Sequence, residues 1–169
     1  MGRSQLSVNW IIKTISLLGG MAMTIMQLPG TRDSYRTKIS GPVTISDRWV
    51  ELNPGTNLKA DKTFQWVVLE LKPPFKDDFR GEGKGPNKGK GILLPDGEVI
   101  NPEIEVIDQF GNKFTLVYAG AEGLNPKYGT RYPDKLPRDR EYTMVRIRSP
   151  KAIECKVIYW HCDSSKDWH

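Results

Sequence analysis

Cys155, His161, Cys162 and His169 place four potential metal ligands within fifteen residues, and both histidines of the chain are among them. Thiolate and imidazole are the donors that zinc takes. The spacing opposes such a site. In one continuous strand Cys155 and Cys162 would stand about 23 Å apart, and their odd separation turns them to opposite faces. Shared ligation or a mutual disulfide would need a chain reversal inside KVIYW, the most strand-like run present. The pattern favours a buried Cys155 and a Cys162 near the end of the domain, with no metal and no cofactor.

Other motifs point to chemistry just as incompletely. Gly81-Glu82-Gly83-Lys84-Gly85 and Gly89-Lys90-Gly91 offer glycine backbones and lysines suited to phosphate. Gly91 stands where a phosphate loop needs Ser or Thr, and the stretch precedes a strand where a helix amino terminus is required. A solvated flexible loop is the simpler reading. Asp108 and Asn112 flank a hairpin turn and read as turn chemistry before a calcium site. Both histidines fall in the last nine residues, and no serine stands in a nucleophile-elbow context, so catalysis has little to rest on. A carboxylate pair acting on a glycoside stays open as an alternative, with no pair selected.

Binding chemistry has better candidates. Arg138, Arg140, Arg146 and Arg148 fall on one side of an alternating segment, with Tyr142 and Met144 between them. Such a row suits an anionic partner, but charged side chains also keep the outer face of a sheet from pairing with other chains. Sugar-binding β-domains expose aromatic rings as stacking platforms. The candidate ligand-binding residues are therefore Tyr128, Tyr132, Trp160, Arg146 and Arg148. Trp49 and Trp66 lie in strand patterns and read as packing.

The elements that must position these residues are strands. Eleven of the twelve prolines lie beyond residue 40, and the patterns between them are short, alternating and bounded by turn residues. Strands are expected at Val43–Ser46, Trp49–Leu52, Phe64–Leu71, Ile92–Leu94, Glu98–Ile100, Glu103–Asp108, Lys113–Tyr118, Glu141–Arg148 and Ile153–Trp160. Pro95-Asp96-Gly97 and Gln109-Phe110-Gly111-Asn112 close two hairpins. Ile153, Cys155, Val157 and Tyr159 are expected on one face of the last strand, with Glu154, Lys156, Ile158 and Trp160 on the other. Repeated strands without helices predict an all-β, antiparallel β-sandwich, immunoglobulin-like or jelly-roll, behind an N-terminal apolar helix. Two long loops, 72–91 and 119–140, interrupt it and are the expected seat of function.

The first thirty residues decide the compartment. Trp10 to Leu28 carries one charge, Lys13, and has no polar helical face. As a helix it reaches roughly 28 Å, near the thickness of a bilayer's hydrocarbon. Residues 1–30 thus read as a signal peptide or membrane anchor, 31–40 as a linker, 41–162 as the domain and 163–169 as a tail, the domain being membrane-anchored or secreted and extracytoplasmic. Arg32, Arg36 and Lys38 just beyond the leader, and thiols unusual in an exported protein, keep the reversed orientation open. Without Arg3 and Lys13 the formal charge falls from +5 to +3, weak for nucleic acid. The expected function is a non-catalytic binding module for carbohydrate or protein. A structural subunit of a membrane or envelope complex and a hydrolase are the alternatives.

Overall fold

A computed structural model describes residues 34–131 and 135–164. The chain divides into two compact units, Met1–Thr31 and Arg32–His169, and every described residue belongs to the second. The apolar leader and the tail beyond 164 lie outside the described residues. No helix among the described residues is long and apolar enough to cross a membrane.

The second unit is all-β and antiparallel in its strand pairing. Its strands are β1 (Ser34–Ser40), β2 (Val43–Ile45), β3 (Val50–Leu52), β4 (Leu58–Lys59), β5 (Phe64–Leu71), β6 (Lys76–Asp77) and β7 (Ile92–Leu93). They continue with β8 (Val99–Ile100), β9 (Glu103–Asp108), β10 (Lys113–Glu122), β11 (Asn125–Gly129), β12 (Glu141–Arg148) and β13 (Ile153–Asp163). One ten-stranded sheet runs β1-β13-β5-β11-β10-β9-β12-β3, with β2 added on β13 and β4 on β12, while β6-β7-β8 form a small second sheet. The large sheet is continuous and nearly closed, like a barrel, where two facing sheets were expected.

Hydrogen bonds to one carbonyl draw its ends together. Lys59, on β4 beside β12, accepts from the Trp160 indole at 2.9 Å and the Cys162 thiol at 3.4 Å, both on β13. The Tyr35 hydroxyl of β1 reaches the same carbonyl at 3.5 Å and donates to Asp61 Oδ1 at 2.6 Å. Inside lie Val67, Leu69, Ile104, Val106, Val145, Ile147 and Ile158, with Tyr142 and Trp160 in ring contact at 6.0 Å. Fully burying an aliphatic side chain of this kind contributes about 1.5–3 kcal/mol, so the inward stripe of each strand fixes its register.

All nine expected strands form, with ends shifted by a few residues, and both hairpins close as read. Three local expectations fail. The supposed linker 31–40 contains β1, whose Tyr35, Thr37 and Ile39 face inward, Tyr35 opposite Cys162 and Thr37 opposite Trp160. A strand with one solvated face carries too many polar residues to announce itself. Next, a bulge between Cys155 and Val157 switches the alternation of β13. Ile153, Cys155, Ile158, Trp160 and Cys162 all end up buried, so the two cysteines share the interior despite their odd spacing. Finally, the long loop from 119 is half strand: β10 runs on to Glu122 and β11 returns to Gly129, with Gly123 at φ 65° in the turn.

The glycine-rich segment is built around a buried carboxylate. Asp78 Oδ1 accepts the amides of Glu82 at 2.8 Å and Gly83 at 3.0 Å, and Oδ2 accepts that of Gly89 at 2.8 Å. Gly83 is obligatory there, because a Cβ would meet Val99 at 2.1 Å. The lysines of this loop surround a fixed scaffold, a requirement for glycine that has nothing to do with phosphate.

Candidate functional site

Among the described residues, the aromatic rings and the arginines singled out from sequence do not come together. Tyr128 is fully buried, its ring edge-on to Tyr118 at 6.0 Å, and offers no stacking face. Trp160 is equally buried beneath the Lys59 carbonyl. Both belong to the core because strand register turns them inward. Tyr132 lies outside the described residues. Arg146 and Arg148 do share the outer face of β12, but each is neutralised across the ladder by Glu105 at 2.5 Å and Glu103 at 2.7 Å. Their guanidinium carbons also lie 4.4 and 4.7 Å from the Trp49 ring centroid. Arg140 caps the Asp108 turn at 2.6 Å, where Phe110 and Asn112 amides complete the carboxylate's partners. Those hydrogen bonds hold the Asp108 carboxyl down at about 2 against the upward push of burial.

No group of three or more His, Cys, Asp or Glu side chains among the described residues is placed to hold a metal. Burial pushes the Cys155 thiol up to about 12, which makes it unreactive at neutral pH. His161 lies on the outer face of β13, its Nδ1 3.1 Å from Glu122 Oε2. A carboxylate only accepts, so Nδ1 carries the proton. Burial and the charge of Arg36 hold the imidazole below its ordinary range, and it is neutral near pH 7.

A different constellation gathers where β5 begins. Phe64 and Trp66, two residues apart on the outer face of β5, stack with ring centroids 5.6 Å apart and planes 3° from parallel. Lys127 on β11 sits 4.4 Å from the Trp66 centroid, and His161 meets the same ring edge-on at 5.5 Å. Gly129 lets the indole lie against the backbone, since a Cβ there would come within 2.9 Å of it. Beside this pair is a shallow depression of about 80 Å³ bordered by Thr63, Gln65, Thr130 and Lys135.

Thr130 and Lys135 also border a second, wider depression of about 420 Å³, so the two form one groove. Its further walls are Lys113, Phe114, Thr115 and Val117 from β10, together with Arg131. Three cations and no acidic residue line the groove among the described residues. Exposed Lys113, Arg131 and Lys135 thus contrast with the arginines of β12. Hydroxyls, an amide, an aromatic pair and cations on a shallow surface can hold a ligand by hydrogen bonding, packing and charge.

Sequence reasoning passed over these residues because no local motif unites them. Only the alternation Lys113, Thr115, Val117 on β10 and the cations flanking residue 133 hinted at them. No protein-family model matches the chain, and neither the curated proteins nor the solved structures include one that matches it.

Proposed function

We propose that the chain is an exported or membrane-tethered, non-catalytic binding module that holds an acidic carbohydrate in the groove between β5 and β10. The observation that carries this reading is the groove's charge: Lys113, Arg131 and Lys135 line it with no acid among the described residues. Phe64 and Trp66 line one end of the groove as an apolar aromatic pair against which a sugar ring packs. Thr63, Thr115, Thr130 and Gln65 supply hydrogen bonding for its hydroxyls. The apolar run from residue 10 to 28 supports delivery to or across a membrane. An extended polymer suits a shallow open surface better than a small enclosed substrate does.

The test is binding of the full-length chain, in mild detergent, to polygalacturonate and heparin against neutral dextran and cellulose. Acidic polymers are expected to bind, and more weakly as salt rises, because exposed charges are screened over about 8 Å at physiological ionic strength. Equal binding of neutral and acidic polymers, or none to either, overturns the proposal. Mass spectrometry of the mature protein from its native cell fraction reports leader cleavage and compartment.

A further inference from the structure

A second recess, of about 100 Å³, lies by β6 and the β10–β11 turn, flanking the end of β5 opposite the groove. Asp77 lines it and is 2% exposed. Its Oδ1 accepts the Tyr118 hydroxyl at 3.0 Å, whereas its Oδ2 has no hydrogen-bond partner among the described residues. The Tyr128 hydroxyl, on the ring that packs against Tyr118, is likewise buried and unpartnered. Folded proteins rarely leave such groups unpaired, so a carboxylate with one oxygen unpaired just beneath a cleft keeps its charge available to a cation there.

The charges around the cleft define that donor. Lys76 is paired with Glu82 at 2.8 Å, the Asp78 carboxylate is filled by three amides, and the Arg80 guanidinium lies 5.3 Å from the Phe79 ring centroid. With Asp77 ionised, two cations face three anions, and the cleft carries one net negative charge. Its rim is apolar: Phe79 is 46% and Leu124 57% exposed, two of the few large hydrophobic side chains on the surface. A recess of about 100 Å³ takes a single unbranched side chain. A single free oxygen suits a compact ammonium; a guanidinium fork needs two.

We infer that this cleft receives a lysine side chain from a partner protein, its ammonium held over the buried Asp77 carboxylate and its methylene stem between Phe79 and Leu124. A free diamine fits less well, because its second charge would lie beside Lys76 and Arg80. Burial pushes the Asp77 carboxyl up to about 6, against the lowering effect of Tyr118 and the nearby Phe79 amide. Tyr118 and Tyr128 are held protonated by the same burial and add no charge. Acidification therefore discharges Asp77 and weakens the site.

The experiment titrates Nα-acetyl-lysine-N-methylamide into the full-length chain in detergent, following amide resonances of residues 76–82 and 124. Saturable shifts are expected at pH 7.5, with the dissociation constant rising about tenfold by pH 5. Asp77→Asn should abolish them, and Phe79→Ser, on the surface, should weaken them several-fold. The pH arm removes the charge without a substitution, so a poorly folding Asp77→Asn does not decide the matter. Equal shifts with the norleucine analogue reduce the cleft to an apolar patch and overturn the proposal, as does silence with the lysine derivative. Tighter binding of 1,4-diaminobutane assigns the site to a free polyamine and overturns the protein partner. The groove is absent from this readout, so either proposal can fail alone.

Discussion

The outer face of β12 and the groove beside β10 both display cations, yet those cations meet opposite surroundings. On β12, Arg146 and Arg148 meet Glu105 and Glu103 in register across β9, and Trp49 lies against both guanidiniums. Around the groove, Lys113, Arg131 and Lys135 are bordered by threonine, glutamine, phenylalanine and tryptophan, and Glu105 of β9, in register with Thr115, is taken up by Arg146. The β12 ladder is closed upon itself, and the groove's cations have no carboxylate among the described lining residues. Whether a basic surface is free to bind is decided by the side chains packed beside it. Neighbours Asp77 and Asp78 repeat the contrast: Asp78 accepts three amides, and one oxygen of Asp77 accepts none.

That division between satisfied and unsatisfied charge can be broken at several points. Asp78→Ala should cost about 3 kcal/mol or more in denaturant unfolding, because three loop amides lose their acceptor. A loss below about 1 kcal/mol would show that the loop holds itself. Asp77→Asn should act in the other direction. A carboxyl whose folded value is about 6 against an ordinary 3.8 is ionised at a cost in the folded state above pH 6. The substitution should therefore stabilise the protein at pH 7.5 by up to about 3 kcal/mol, the advantage shrinking as pH falls from 6 to 4. An advantage that persists unchanged at pH 4 would mean that Asp77 is not the titrating group.

Binding effects come next. Replacing Lys113, Arg131 and Lys135 together with Ala should weaken acidic-polymer binding about tenfold and flatten its salt dependence, with unfolding unchanged. Arg146→Ala should do the reverse, costing about 1 kcal/mol of stability through its partly buried pair and its stacking on Trp49, with no change in binding. Arg148→Ala is the smallest, at about 0.5 kcal/mol or less, since its ion pair is exposed. If either arginine change weakens polymer binding as much as the groove replacement does, the contrast between the two surfaces is lost.

Much of the fold was legible because the physics behind it is local. Alternating apolar residues marked β9, β10 and β12, and Pro95-Asp96-Gly97 marked its hairpin by backbone preference alone. Missed were β1, whose polar residues conceal a one-sided strand, and the bulge in β13, which one extra residue creates without a compositional sign. The candidate site was less legible. Tyr128 and Trp160 look like platforms by residue type, and register buries them. Phe64, Trp66 and Lys113 come from strands that β11 separates in the sheet, so no spacing along the chain relates them.

By itself the sequence determined that the region beyond residue 40 is built from antiparallel strands, since side-chain alternation and proline placement act over a few residues. The tertiary structure alone decided that the strands curl into one nearly closed sheet, which cations are matched by carboxylates, and which carboxylate oxygen is left unpaired. Those outcomes depend on pairing between segments tens of residues apart. Charge and hydrogen bonding fall off within a few ångströms, so the identity of a residue fixes its chemistry, and only its neighbours in space fix whether that chemistry is spent or free.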